Sequence, residues 1–184
     1  MSAQFIHKGD KKKKYVKQMF NDISGTYDLI NIISSFGIDR YWRSRLINNI
    51  KLDSNQKLLD VATGTGDVAF GFLKKYKVSV TGLDIAKNMI EISNKKAKKY
   101  SGDISFVEGD AENMPFSDEE FDIVVSQYGH MFAPRPEVAI DEMARVLKPS
   151  GVLAFSTWPS EMFMGQFFRL VGEFSPSLPD GASS

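Results

Sequence analysis

Asp60-Val61-Ala62-Thr63-Gly64-Thr65-Gly66-Asp67 is the most informative segment of this 184-residue chain. A short run, Lys57-Leu58-Leu59, leads into it, and a helical pattern from Val68 to Tyr76 follows. Strand, glycine turn and helix start are the parts of a nucleotide-binding βαβ unit. Glycine lets the backbone turn sharply and come close to a ligand. An acid at the end of the strand is the less common part.

Downstream, strand-like and helical runs alternate. The strands are predicted at Lys57–Ala62, Val78–Leu83, Ile104–Val107, Phe121–Ser126 and Val152–Thr157. The helices between them are Asp67–Tyr76, Ala86–Tyr100 and Pro136–Leu147, and Gly109 to Glu120 reads as a loop. Such alternation implies an α/β fold: a mostly parallel sheet with helices on both faces. Lys148-Pro149-Ser150-Gly151 ends the last of these helices and starts the fifth strand.

Upstream, Val16, Met19, Phe20, Ile23, Tyr27, Ile30 and Ile33 recur at three- and four-residue steps, which predicts one apolar helical face, interrupted near Gly25. Ile38, Tyr41, Trp42, Arg45, Leu46, Asn49 and Ile50 predict a second. A βαβ sheet does not need these helices, so residues 1–50 form an N-terminal cap, either over a site or simply packed on the sheet. Residues 51–174 form the sheet domain. It closes with a Met- and Phe-rich helix, Glu161–Phe174, and residues 175–184 read as a disordered tail. The lysines from Lys11 to Lys14 read as a solvated helix start, or as a weak contact with an anionic membrane surface, worth about 1 kcal/mol each.

Composition excludes several classes. With 42% hydrophobic and 25% charged residues the chain is an ordinary globule. Formal charge is zero, so no global field attracts nucleic acid. Cysteine is absent and histidine occurs only as His7 and His130, so no metal site is expected. No apolar run approaches the roughly 20 residues of a membrane span, and the N-terminus lacks the apolar core of a secretory signal. A cytoplasmic location is expected.

Ligands of open parallel sheets sit beyond the carboxyl ends of the strands. Those ends hold Asp60, Asp84, Asp110 and Gln127, so polar groups converge on one edge. Asp84, about twenty residues past the glycine loop, suits two ribose hydroxyls, or else caps the following helix. Asp110 suits an exocyclic amine such as that of adenine, or serves the turn after Gly109. Together they imply an adenosine-type ligand. NAD is one option, since Gly64-Thr65-Gly66-Asp67-Val68-Ala69 satisfies G-x-G-x-x-A. Against it, Asp60 and Asp67 would repel a pyrophosphate at a helix start that phosphate needs bare. Acids there suit a cationic ligand, and S-adenosyl-L-methionine combines adenosine, a sulfonium and an amino-acid tail.

Asp60 to Gly66, Gly82-Leu83-Asp84-Ile85-Ala86-Lys87-Asn88-Met89, Gly109 to Phe116, Phe121-Asp122 and Arg145 to Gly151 resemble, in order, the class I S-adenosylmethionine-dependent methyltransferases. The resemblance implies a Rossmann-like sheet of seven strands. It also implies that Asp60, Thr63, Gly64, Thr65 and Gly66 face the methionine part of the cofactor, and that Asp84 takes the ribose. Ile85 and Met89 would pack on adenine, Asp110 and Ala111 would bind its edge, and Gln127 would lie near the methyl group. Met19 to Asn31 and Ser35 to Arg43 are similar to the opening of the ubiquinone/menaquinone C-methyltransferase family, which methylates a ring carbon of a prenylated quinol precursor. That likeness implies that Tyr27 lies near cofactor and substrate. Where this family typically has an Arg-Asn pair after the fourth strand, this chain has Met131 and Phe132, and His130 is the nearest substitute base, or a loop histidine bonded to backbone. The family's last two strands are not expected here, which would leave an edge open to self-association.

The expected activity is methyl transfer to a small apolar or aromatic acceptor, with Phe36, Trp42, Met131, Phe132 and the 161–174 helix as apolar walls. An oxidoreductase and a non-catalytic cofactor-binding fragment are the alternatives.

Overall fold

A computed structural model describes residues 9–35, 37–158 and 166. Phe36, the tail 175–184 and the 161–174 helix, Gln166 apart, lie outside the described residues. Five strands form one parallel sheet: β1 (Lys57–Val61), β2 (Ser79–Asp84), β3 (Ile104–Glu108), β4 (Phe121–Gln127) and β5 (Leu147–Ser156), in the order β3-β2-β1-β4-β5. Helices α4 (Asp67–Lys75), α5 (Lys87–Ala97) and α6 (Pro136–Val146) make the crossovers. This is the expected Rossmann-like α/β architecture.

The central strands are apolar on both sides because both faces are covered. Side chains alternate between faces. Leu58, Val80, Ile123 and Val125 meet Phe70 and Phe72 of α4 on one face. Leu59, Val61, Leu83 and Val124 meet Met143 and Val146 of α6 on the other. Strand order reverses between β1 and β4, so a crevice opens where Asp60 and Gln127 end their strands.

β5 begins five residues before the predicted Val152. Its partner register jumps from Phe121↔Leu147 to Ile123↔Val152, so Lys148 to Gly151 bulge out of the strand instead of preceding it. Proline is tolerated at such a bulge.

The upstream region departs further from expectation. It forms three helices, α1 (Gly9–Ile23), α2 (Tyr27–Ser34) and α3 (Asp39–Asn49). A turn at Ser24–Thr26 separates the first two, at the interruption expected near Gly25, and the apolar face does not continue beyond it. Leu29, Ile30, Ile33, Ile38 and Tyr41 are exposed, while Val16, Ile47 and Ile50 are buried. On α3 the buried face is therefore turned from the one predicted. It packs on α4, where Ile47 sits against Gly71. The lysine run is not a uniformly solvated face either. Lys12 is buried with its ammonium donating to the Ala133 carbonyl at 2.7 Å, and Lys13 pairs with Asp110. No helix among the described residues is long and apolar enough to cross a membrane.

Candidate functional site

The glycine loop is held by unusual backbone at several points. Ala62 and Tyr128 take positive φ (56° and 60°), as do Gly64 and Gly66 (56° and 87°). A side chain at Gly66 would meet Phe70 at 2.8 Å and Phe106 at 2.9 Å. Gly129 lies against Ala62, so the loops after β1 and β4 touch only because one of them lacks a side chain there.

Two cavities flank this contact. One, of about 110 Å³, is lined by Gly64, Asp84, Ile85, Asp110, Ala111 and Gln127, among others. The second, of about 320 Å³, is lined by Arg43, Asp60, Thr63, Thr65, Asp67 and again Gln127. Tyr27 and Ala62 also line both. The two cavities thus lie side by side at the end of β1, with these three residues as common walls.

Asp84 joins the loops around the first cavity. Gly64 N–H donates to one of its oxygens at 2.8 Å and Ala86 N–H to the other at 2.9 Å. Burial pushes its pKa up, and these backbone donors pull it back. A carboxylate has about four lone-pair positions, so capacity for hydroxyl donors remains. Asp110 accepts the Glu112 N–H at 3.0 Å through one oxygen and faces Lys13 with the other.

Asp60 is fully buried at the second cavity. It accepts from Thr63 Oγ1 at 2.6 Å and from the Ala69 N–H, yet burial drives its pKa up to about 7. Asp67 differs from expectation. It is not an open acid awaiting a cation, because Arg43 of α3 and Lys96 of α5 each hold it at 3.0 Å. Lys96 also reaches Asp28 of α2 at 2.7 Å and Thr65 Oγ1 at 2.9 Å. Thr65 Oγ1 itself donates to Asp28 at 2.6 Å. Burial pushes the Asp28 pKa up, but these bonds and charges outweigh it and hold the group below the usual carboxylate value. One ammonium thus ties α2, the glycine loop and α5 together. The phosphate position at the start of α4 is occupied by this network, which disfavours a pyrophosphate.

Not every predicted residue reaches the site. Met89 is fully buried and lines neither cavity. Gly66 shapes the loop without lining it. His130 is buried in a 3-10 turn (His130–Phe132), with its backbone N–H on Ser126 Oγ and its ring edge-on to Phe155 at 4.8 Å. Burial lowers its pKa, so the ring is neutral, but it faces neither cavity. Tyr27 does, and burial raises the pKa of its hydroxyl.

Arg43 was not singled out by the sequence pattern, which placed its neighbours on the packing face. Its Nη2 binds Asp39 and Asp67, both at 3.0 Å. Its Nε is buried without a hydrogen-bond partner among the described residues. Leaving such a donor unmet costs about 1–3 kcal/mol. Trp42, Tyr128 and Trp158 form an aromatic group, with Tyr128, which lines the first cavity, stacked on Trp158 at 4.5 Å.

These features fit S-adenosylmethionine: acids at the β2 and β3 ends for adenosine, a close-approach glycine loop, and a polar chamber lined by Arg43 and Asp60. The fold is that of the Rossmann-like methyltransferases. A solved S-adenosylmethionine-dependent methyltransferase from Thermotoga maritima, described as a possible histamine N-methyltransferase, superposes with a TM-score of 0.68 over 86% of this chain and 69% of that one. At 24% identity that likeness bears on fold alone.

The chain belongs to the ubiE/COQ5 methyltransferase family, whose model matches residues 8–178. It is 40% identical over 161 residues to the ubiquinone/menaquinone biosynthesis C-methyltransferase UbiE of Geotalea daltonii. It is 42% identical over 147 residues to the demethylmenaquinone methyltransferase of Thermotoga maritima. These matches cover 84% and 79% of this chain, but 67% and 62% of the relatives.

Proposed function

We propose that this chain uses S-adenosylmethionine to methylate a ring carbon of a quinol-type acceptor. The observation that carries this is an acidic cavity lined by Asp84 and Asp110 beside a polar chamber, with Tyr27, Ala62 and Gln127 lining both. The quinol acceptor is supported by what the two relatives are named for, and by the aromatic surfaces of Trp42, Tyr128 and Trp158 next to the site.

When bound, the cofactor supplies an activated methyl group on a sulfonium. The chain's own share is to bind, orient and shield. Asp84 offers its free lone pairs to the ribose, and Asp110 and Ala111 meet the adenine edge. Gln127 lies at the junction of the two cavities. Holding the acceptor near attack distance can supply roughly 7–11 kcal/mol of the barrier. Tyr27 is better placed than His130 to touch the acceptor. Its raised pKa keeps the hydroxyl protonated, so it acts as a hydrogen-bond donor that orients an acceptor oxygen rather than as a base.

The test is transfer of a tritiated methyl group from the donor to a panel of prenylated and unprenylated quinols and phenols. Label in the quinol ring supports the proposal. Donor binding with no label in any quinol would leave a cofactor-binding protein and remove the assignment.

A further inference from the structure

We infer that Lys96 is a positioning residue for methyl transfer, holding α2 on the glycine loop so that Tyr27 stays at the wall shared by the two cavities; this rests on the function proposed above. A helix is normally fixed by the packing of an apolar face. Among the described residues α2 has no such face. Leu29, Ile30, Ile32 and Ile33 are exposed, and no residue from 27 to 33 is fully buried. Polar links at its first turn hold it instead. The Lys96 ammonium donates to Asp28 at 2.7 Å, to Thr65 Oγ1 at 2.9 Å and to Asp67 at 3.0 Å, which uses all of its protons. Thr65 Oγ1 donates in turn to the other Asp28 oxygen at 2.6 Å. The start of α2, the glycine loop and the start of α4 thus meet at one cation carried by α5.

Asp28 follows Tyr27 directly in sequence, so this clamp sets where the Tyr27 side chain stands. The ring lies over Gly64, with its Cε1 3.5 Å from where a Cβ of that residue would be. Asn31, one turn on, bonds the Tyr27 hydroxyl and lines the larger cavity with it. Phe20 of α1 meets the Tyr27 ring edge-on at 6.0 Å, which supports the ring but not the helix that carries it. Lys96 lines neither cavity, so its effect on an acceptor passes through α2.

The experiment measures methyl transfer from tritiated S-adenosylmethionine to the quinol that the wild type labels most, together with hydrogen exchange of the α2 amides in the full chain. In Lys96→Met, kcat should fall by roughly 10–100-fold, the scale of loss that a misplaced group causes. S-adenosylhomocysteine, met by Asp84 and Asp110, should bind nearly as in the wild type. The α2 amides should exchange faster while those of β1 and β4 keep their protection, and Lys96→Arg should recover part of both losses. A double-mutant cycle tests the route: in a Tyr27→Phe background Lys96→Met should cost less than it does alone. Equal costs in the two backgrounds, or unchanged exchange in α2, overturns the inference. So does an equal loss of transfer and of S-adenosylhomocysteine affinity, which marks a purely structural residue. If Lys96→Met does not fold, Asp28→Asn decides, because it weakens the same link and leaves Lys96 on Asp67. A wild type that labels no quinol overturns the function proposed above, and exchange in α2 still decides whether Lys96 holds the helix.

Discussion

Lys13 on α1 forms an ion pair with Asp110 at the end of β3, directly on the carboxylate proposed to meet adenine. One helical turn on, Lys17 pairs with Glu108 at 2.7 Å. Asn21, a further turn along, accepts the Asn88 N–H at 3.0 Å. The first helix is therefore strapped along the β3 side of the cavity. An adenine amine bound there, as proposed, would have to share Asp110 with a lysine that already holds it.

Removing that competitor should favour the ligand. Lys13→Met is expected to tighten S-adenosylhomocysteine binding by roughly two- to fivefold, in keeping with the small worth of a partly exposed pair. Raising ionic strength should produce part of the same gain in the wild type, by screening the pair. Titration calorimetry at two salt concentrations measures both. Weaker binding in Lys13→Met would mean that the lysine belongs to the binding surface instead.

Asp60 predicts a pH dependence of stability. Its carboxyl titrates near 7 in the fold because burial raises it, against about 3.9 in the unfolded chain. Between these values the folded state holds the proton and the unfolded state releases it. Stability contributed by this group therefore falls as pH rises from about 4 to about 7, and is level above that. Asp60→Asn removes the titration while keeping an acceptor for Thr63. The variant should gain stability over the wild type as pH rises through this window, by up to about 1.36 kcal/mol per unit. Urea melts at pH 5, 6, 7 and 8 supply the comparison, and a constant difference would contradict the shifted carboxyl.

Gly66 predicts a structural cost. Its φ of 87° is strained for any side chain, and a methyl group would press on Phe70 and Phe106. Gly66→Ala should lose about 2–4 kcal/mol, the sum of backbone strain and overpacking. Gly25, which has open space around it, serves as the control: Gly25→Ala should be within about 0.5 kcal/mol of the wild type.

The sheet was legible in the sequence because its signals are local. Short apolar runs ending in Asp60, Asp84 and Asp110 mark β1, β2 and β3 to within a residue or two. The glycine loop then orders them around a crevice. What escaped is what depends on distant partners. Nothing near Asp67 indicates that Arg43 and Lys96 neutralise it, so it read as an open acid. Lys12 and Lys13 sit in a run of like charges that normally faces solvent, yet tertiary packing turns both inward. Leu29, Ile30 and Ile33 match a helical core pattern and are exposed, because the Ser24–Thr26 turn breaks the phase between α1 and α2. His130 looked available as a loop residue, but the 3-10 turn after β4 rotates it against Phe155.

On this proposal the two adjoining cavities receive a cationic adenosyl donor and not a dinucleotide. The most direct measurement is titration calorimetry of the purified chain with S-adenosylmethionine and, separately, with NADH. Saturable one-to-one binding of S-adenosylmethionine, with no heat from NADH, is the predicted result. Tight NADH binding with no response to S-adenosylmethionine would contradict it.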